Sequence, residues 1–354
     1  MKSLFPKKAK TIIGLDIGTK FVKACSLDLS GKEHKVLAFA CEPIQGMAFA
    51  EREIKDFDAI SKALKKVHMA VKPKNKDCAI AVAGSSVISK SVFMEPDQSD
   101  FELETQIELE ADSLIPYPLD EVYLDFQEIG PSSTHVGKVE VLLSAAHRDL
   151  LDSRITLVRE APFEPVVVDI ESNVLADTFI AFGDKKKNEL GICINLGASI
   201  MQVSAIENGV AIYSKEHSFG VNNFVQDLAM LHNIETQEVE TQLASNTAPE
   251  SWFTENMPVF LATVQQQIQR ALQMFVATTH KQMPVAFSLC GGGANLPGIC
   301  ETLSKEMGLD VTLFNPFADM SVDSKVNQEK LMTIAPQLSI AAGLATRSLS
   351  EWQK

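Results

Sequence analysis

The chain has 354 residues, of which 45% are hydrophobic and 22% are charged, and its formal net charge is −14. This length predicts about two domains, and the acidic balance argues against general nucleic-acid binding, which depends on clustered Lys and Arg. The six cysteines and seven histidines are dispersed without a CxxC pair. They indicate small core cysteines in a reducing compartment and argue against a metal site built from them.

The first half of the chain opens with two apolar segments, 10–17 and 21–27, on either side of Gly18. This pattern predicts a strand, a tight turn and a second strand. Apolar periodicity predicts the later elements, and Ser99 with Glu102 has the spacing of a capping box. The predicted helices are 54–71, Ser99 to Pro116, 147–160 and 171–182, and the predicted strands are 78–83, 87–94, 121–129, 138–146 and 166–170.

The second half repeats the opening of the first, because strand 191–196 ends at Gly197 and strand 200–206 follows. Asn208-Gly209 predicts a hairpin turn to a strand at 210–216. The other predicted elements are helices at 221–232, 235–245, 257–279, 297–307 and 337–348, and strands at 284–290 and 311–315. Two halves that both begin with strand, glycine turn and strand indicate duplication of a domain, with a boundary in the polar stretch 183–187.

The first segment that could form a binding site contains Asp16, Gly18, Thr19 and Lys20 at the end of the first strand. Gly18 lets the backbone turn close to a ligand without a side chain in the way. The exposed amides of the turn and the Thr19 hydroxyl can then face phosphate oxygens, and Asp16 can hold Mg²⁺ through water. Taken alone, the same residues also fit an ordinary strand turn.

Two further segments complete a set of three loops. The second loop occupies the same place in the second repeat and comprises Asn195, Gly197, Ala198 and Ser199. The third loop follows the strand at 284–290 and comprises Gly291, Gly292, Gly293 and Asn295. A glycine run between a strand and a helix brings backbone close to a flat or charged ligand. Two paired loops and a glycine loop in this order predict a nucleotide clamped between two domains.

These loops resemble the two phosphate loops and the adenosine loop of the actin, sugar-kinase and heat-shock-chaperone superfamily. Within it, the chain resembles the PilM family, which is similar to the cell-division protein FtsA. The resemblance covers about residues 10–350. It is carried by the proline-broken segment Leu114–Val122, by Val168–Glu171, by Ser218–Gly220 and by Ile340–Arg347 near the C-terminus.

The resemblance implies an α/β, actin-like ATPase fold of two duplicated domains. Domain I would comprise 1–187 and 336–354, with an FtsA-like inserted subdomain at about 48–150, and domain II would comprise 188–335. ATP and Mg²⁺ would bind between the domains, with Gly220 adding to the site.

The function implied by the resemblance is that of a cytoplasmic scaffold at the inner-membrane face, in the type IV pilus assembly complex. The N-terminal tail of a PilN-like inner-membrane protein would dock in the groove between the core and subdomain 48–150. Other pilus assembly proteins and a homo-oligomer are further partners that the resemblance allows, and membrane contact would come only through partners.

One departure from the superfamily pattern concerns catalysis. The second phosphate loop usually begins with Asp, whereas this chain has Asn195. An amide can bond water or phosphate but cannot ionise to activate water. We therefore expect a nucleotide-stabilised scaffold that is at most a slow ATPase, and we expect Asn195→Asp to raise hydrolysis if this residue limits it.

Two alternatives belong to the same superfamily. A small-molecule kinase would need an acidic catalytic base in a substrate cleft, and the sequence offers no convincing pair. An FtsA-like filament former would resemble FtsA more closely if an amphipathic helix followed the last core helix, whereas this sequence stops at Lys354. A kinase screen and sedimentation with ATP would distinguish these alternatives.

Overall fold

A computed structural model describes residues 11–50, 52–84, 86–132, 135–183, 189–245 and 247–349. The first half contains β1 (Ile13–Ile17), β2 (Phe21–Asp28), β3 (Lys35–Pro43), β4 (Phe49–Ala50), β5 (Glu53–Ile54), α1 (Phe57–Val71), β6 (Asp77–Val82), β7 (Val87–Met94), α2 (Asp100–Leu114), β8 (Val122–Pro131), β9 (Val139–His147), α3 (Arg148–Glu160), β10 (Glu164–Ile170) and α4 (Glu171–Phe182).

The second half contains β11 (Gly191–Leu196), β12 (Met201–Glu207), β13 (Val210–His217), α5 (Asn222–His232), α6 (Thr236–Ala244), α7 (Met257–Thr279), β14 (Ala286–Cys290), α8 (Ile299–Met307), β15 (Asp310–Leu313), β16 (Ser321–Val322), α9 (Gln328–Ile334) and α10 (Ser339–Ala345). Short 3₁₀ turns flank α10, so the helix predicted at 337–348 is regular only in its middle.

Two sheets with the same topology form the core. The first has the strand order β10-β6-β1-β2-β3-β16, and the second has the order β15-β14-β11-β12-β13. In both, the central strand, β1 or β11, pairs antiparallel with the next strand in sequence and parallel with the strand on its other side. Five strands of the first sheet therefore correspond one to one with the second sheet, which confirms the predicted duplication.

Helices α4 and α10 lie between the two sheets, and their backbones pack very closely against their neighbours. A Cβ added at Gly14 in β1 would lie 1.9 Å from the carbonyl oxygen of Ala341, and a Cβ added at Gly343 would lie 1.9 Å from the hydroxyl of Thr178. Real side chains cannot occupy such space, so these glycines let α10 rest directly on β1 and α4. An apolar cluster that includes Cys193, Cys290 and Leu344 joins both halves there.

A separate three-stranded sheet, in the order β7-β9-β8, carries α2 on one face. Ser99 and Glu102 form the predicted capping box at the start of α2. This layer spans 87–147, whereas the predicted subdomain began at 48. The structure places α1 and β6 in the core instead, because β6 pairs with β1 and β10 and α1 buries apolar side chains such as Leu64 beside them.

The chain returns to the first sheet earlier than the predicted end of domain II at 335. Ser321 in β16 pairs with Lys35 in β3. Phe317 and Leu331 are fully buried in one cluster with Val36. Apolar burial thus draws this segment to the first sheet. The boundary predicted at 183–187 lies outside the described residues, apart from Gly183 at the end of α4.

Other features of the described chain bear on the sequence predictions. Asn208 and Gly209 have φ angles of 55° and 77°, as the predicted hairpin turn requires. All six cysteines are free thiols. Among the helices within the described ranges, none combines the length and apolarity needed to cross a membrane.

Candidate functional site

A cavity of about 1050 Å³ lies between the two duplicated sheets. It brings together every nucleotide-binding residue predicted from the sequence except Gly220. Its lining includes Asp16, Gly18, Thr19, Lys20, Asn195, Gly197, Ala198, Ser199, Gly291, Gly292, Gly293 and Asn295. Gly220 lies behind the second loop, where an added Cβ would be 2.4 Å from the carbonyl oxygen of Ala198.

The tips of two equivalent hairpins meet in this cavity. The amide of Gly18 donates to the carbonyl oxygen of Phe21 at 3.0 Å, and Gly197 donates to Ile200 at the same distance. The hydroxyl oxygens of Thr19 and Ser199 are 2.9 Å apart across the cleft.

Several backbone amides at these tips are free to bind a ligand. Within the part of the chain that the structure describes, four amides donate to no protein acceptor, those of Thr19, Lys20, Ala198 and Ser199. Successive unpaired amides in tight turns form concave sites for anions. The two hairpins can therefore hold phosphate oxygens from both sides of the cleft.

The glycine loop packs against the second hairpin. Gly291 has a φ of 88°, and an added Cβ would lie 2.3 Å from Oδ1 of Asn195. A Cβ on Gly293 would lie 2.5 Å from the side chain of Leu196, whereas one on Gly292 would meet only Gln337, at 3.8 Å. Gly291 and Gly293 therefore permit close packing, while Gly292 presents open backbone to the cavity.

Asp16, the predicted Mg²⁺ residue, is only 5% exposed and forms an ion pair with Lys23, which also lines the cavity. Burial raises the pKa of Asp16, and the Lys23 ammonium offsets part of this shift. Among the described residues, no three His, Cys, Asp or Glu side chains form a metal cage. A bound Mg²⁺ would thus take most of its ligands from water and phosphate, with Asp16 reached through water.

A polar network runs along the floor of the cavity. Nδ2 of Asn195 donates to Oε1 of Gln202 at 3.0 Å. Nε2 of Gln202 donates to Glu216 at 3.2 Å and lies 3.4 Å from Oε2 of Glu171. Arg52 donates to Glu171 at 2.7 Å. This network links the second phosphate loop to the turn between β4 and β5.

The same network reaches the inserted sheet. Oε2 of Glu216 accepts the amide of Gly84 at 3.0 Å, at the point where the chain leaves β6 for β7. Burial, together with the charge of Glu171, raises the pKa of Glu216. Lys20 forms an ion pair with Glu240 of α6, which is a second link across the cleft.

Sequence reasoning missed the cavity residues Lys23, Arg52, Glu171, Gln202 and Glu240. Lys23 and Gln202 each stand on the strand that follows a recognised loop, so strand alternation could have indicated them. Glu171 belongs to a segment quoted for the family resemblance. Arg52 and Glu240 carry no local signal, because only the fold brings them to the cleft.

A second cavity of about 260 Å³ lies between the inserted sheet and the core. Its walls include Tyr123–Gln127 of β8 and Val167–Ile170 of β10, which are both edge strands of their sheets. Tyr123 is 39% exposed, and Arg148 lies 4.3 Å above its ring. We call this cavity the edge-strand groove. It lies between the core and the inserted sheet, where the family resemblance implies a groove for the partner tail.

Comparison with known proteins agrees with this architecture. The family model for type IV pilus assembly protein PilM matches residues 14–349. A solved PilM-PilN type IV pilus biogenesis complex is similar over 97% of this chain and 100% of the other, with 22% identity and a TM-score of 0.80. The ethanolamine utilization protein EutJ from Carboxydothermus hydrogenoformans is similar over 97% and 90%, with 16% identity and a TM-score of 0.55.

The duplicated sheets, the cleft between them and these similarities define an actin-like ATPase fold. Because the family match extends over nearly the whole chain, the chain belongs to the PilM family of type IV pilus assembly proteins.

Proposed function

We propose that this chain is an ATP-binding scaffold of the type IV pilus assembly complex, which docks the cytoplasmic tail of a PilN-like inner-membrane protein. ATP would occupy the cleft between the sheets, with its phosphates between the two hairpins and its adenosine against Gly292. The observation that carries this proposal is the pair of hairpin tips with unpaired amides, 2.9 Å apart at their hydroxyls, facing a glycine loop across one cavity.

Slow turnover is part of the proposal. The chain places the amide of Asn195 where the superfamily usually has a carboxylate. This amide is already bonded to Gln202. Glu171, a carboxylate that lines the cleft and is linked to Asn195 through Gln202, is paired with Arg52. Mg²⁺ would enter with the nucleotide and contact Asp16 through water. Nucleotide would then mainly stabilise the closed arrangement of the two halves.

The partner tail would lie in the edge-strand groove. Two edge strands offer unpaired backbone groups, which an extended peptide can bind by strand addition. The groove also carries apolar side chains such as Leu142 and Val167 for alternate peptide side chains. The matched solved structure is of a PilM-PilN complex, which supports the choice of partner. We propose that this contact holds the chain at the cytoplasmic face of the inner membrane.

The experiment is a calorimetric titration of the full chain with Mg-ATP and with a synthetic N-terminal peptide of the PilN-like partner. Ser144 lines the groove, so Ser144→Trp fills it and we expect at least a ~10-fold loss of peptide affinity with unchanged ATP affinity. Thr105→Trp, at an exposed position of α2 on the opposite face of the same sheet, is the matched control and should bind normally. Peptide binding that survives Ser144→Trp would exclude this groove, and absence of ATP binding to the wild type would exclude the nucleotide site.

A further inference from the structure

Arg52 occupies the turn between β4 and β5, and its side chain forms part of the cavity wall. This hairpin is fastened at its base, where the amides of Lys55 and Asp56 both donate to the carbonyl oxygen of Ala48 at 2.9 and 3.2 Å. The Arg52 side chain is 15% exposed. The chain thus directs a largely buried arginine into the nucleotide cleft from a hairpin outside the three predicted loops.

The guanidinium of Arg52 has hydrogen-bonding capacity to spare. An arginine carries five N–H donors, and one of the Arg52 donors reaches Glu171 at 2.7 Å. Its buried Nε has no acceptor among the described residues. Because Nε is closed off from solvent, a ligand in the cavity would instead meet Nη1, which has no acceptor among the described residues and is not buried.

The order of residues along the cavity floor indicates which part of a nucleotide lies near Arg52. Asn195 stands in the middle, since its Oδ1 faces Gly291 while its Nδ2 donates to Gln202. Gln202 in turn leads to Glu171, and Glu171 to Arg52. The glycine loop and Arg52 therefore lie on opposite sides of Asn195. With adenosine at the glycine loop and phosphates at the hairpins, the phosphate chain points towards Arg52.

Charge supports the same placement. The Glu171 carboxylate lines the cavity at this end of the floor and would by itself repel a terminal phosphate, so a phosphate can approach there only because Arg52 is paired with it. Arg52 neutralises Glu171 and can also offer further donors in the planar geometry that suits phosphate. Lys20 and Lys23 are positioned at the first hairpin, where each already contacts a carboxylate, Glu240 and Asp16 respectively.

We propose that Arg52 binds the terminal phosphate of ATP and thereby makes the site select nucleoside triphosphate over diphosphate. This inference rests on the proposed function, because it assumes that adenine nucleotide binds in the cleft. ADP reaches the hairpins but has no group at Arg52, so Arg52 contributes to the affinity for ATP alone.

The test compares ATP and ADP affinities of the full chain by titration calorimetry in the presence of Mg²⁺. Arg52→Gln should weaken ATP binding by ~10-fold or more, the effect of losing a charge-assisted hydrogen bond, while ADP affinity stays within about twofold. Because Arg52→Gln leaves Glu171 unpaired, the double variant Arg52→Gln/Glu171→Gln is measured beside it and should show the same loss of selectivity. Arg270→Gln, on the exposed face of α7, is the matched control and should keep the wild-type ratio.

The assignment of Arg52 would be overturned if Arg52→Gln lost equal affinity for ATP and ADP, or if the double variant kept the wild-type ratio of ATP to ADP affinity. Either result would leave ATP binding itself in place. A wild-type chain that bound neither nucleotide would instead overturn the proposed function and the inference with it. A wild type that selects ATP and an Arg52→Gln variant that does not would establish the inference.

Discussion

Replacing Asn195 by Asp changes one amide to a carboxylate at the centre of the cavity floor. Nδ2 of Asn195 donates to Oε1 of Gln202 at 3.0 Å, and Nε2 of Gln202 faces Glu171 and Glu216. An ionised carboxylate accepts but cannot donate. In Asn195→Asp, Oε1 of Gln202 therefore meets another acceptor. If the Gln202 amide flips, the conflict moves to Glu171 and Glu216.

The expected loss of stability follows from this unsatisfied hydrogen-bond network. A buried polar group left without its partner costs ~1–3 kcal/mol, so we expect the unfolding free energy at pH 7 to fall by that amount. The loss should be smaller at acid pH than at pH 7, because a protonated carboxyl group at this position can donate to Gln202. Urea denaturation of the nucleotide-free chain, followed by circular dichroism, measures both values.

A matched control makes the same chemical change in the same cavity. Nδ2 of Asn222 donates to the hydroxyl of Ser199 at 3.0 Å, and a hydroxyl can turn to donate to a carboxylate instead. Asn222→Asp should therefore cost less than ~0.5 kcal/mol. If Asn195→Asp is as stable as the wild type, or if Asn195→Asp and Asn222→Asp lose the same unfolding free energy, the network does not require an amide at 195. The same variant tests hydrolysis, since an unchanged ATPase rate would show that Asn195 is not what limits turnover.

Two further predictions concern the same cleft. Gly292→Val should keep the fold, because an added Cβ meets only Gln337 at 3.8 Å. It should abolish ATP binding in a titration. Normal ATP affinity in this variant would contradict the assignment of the third loop to adenosine. Burial and the charge of Glu171 raise the pKa of Glu216 in the folded state. The folded chain therefore still holds this proton at pH values where the unfolded chain has lost it. As the pH rises above the ordinary glutamate pKa of about 4.3, the wild type should lose stability relative to Glu216→Gln. Denaturation across this pH range measures the difference between the two proteins, and a difference that does not change with pH would show that Glu216 titrates normally.

The sequence was most informative where backbone geometry depends on residue type. Gly18 and Gly197 identified the two hairpins, and the strand that ends in Gly291 identified the third wall of the cavity. These signals are local, because a tight turn or close backbone approach requires glycine at a particular position. The duplication was visible for the same reason, since both repeats place their turn directly after a short apolar strand.

Residues whose role depends on tertiary contacts were not predictable in this way. Arg52 stands in a short hairpin with no distinctive pattern, and its partner Glu171 is 119 positions away. The extent of the inserted sheet was not visible in the sequence for a related reason. Helix α1 is amphipathic whichever layer it covers, so its periodicity could not show that it packs on the first sheet. Strand β3 was overlooked although its apolar composition, from Val36 to Ala40, is typical of a strand.

The contact between Gly14 and Ala341 has a consequence for synthesis of the chain. Strand β1 is among the first described segments to be synthesised, whereas the helix that covers it, α10, is among the last described segments. The edge of the first sheet and its apolar cluster are likewise complete only after β16 and α9 have been synthesised. The N-terminal half must therefore remain incompletely packed while the second half is made, during which its exposed apolar surface invites aggregation or chaperone binding. A fragment that ends after β15 should for this reason fail to form a stable domain.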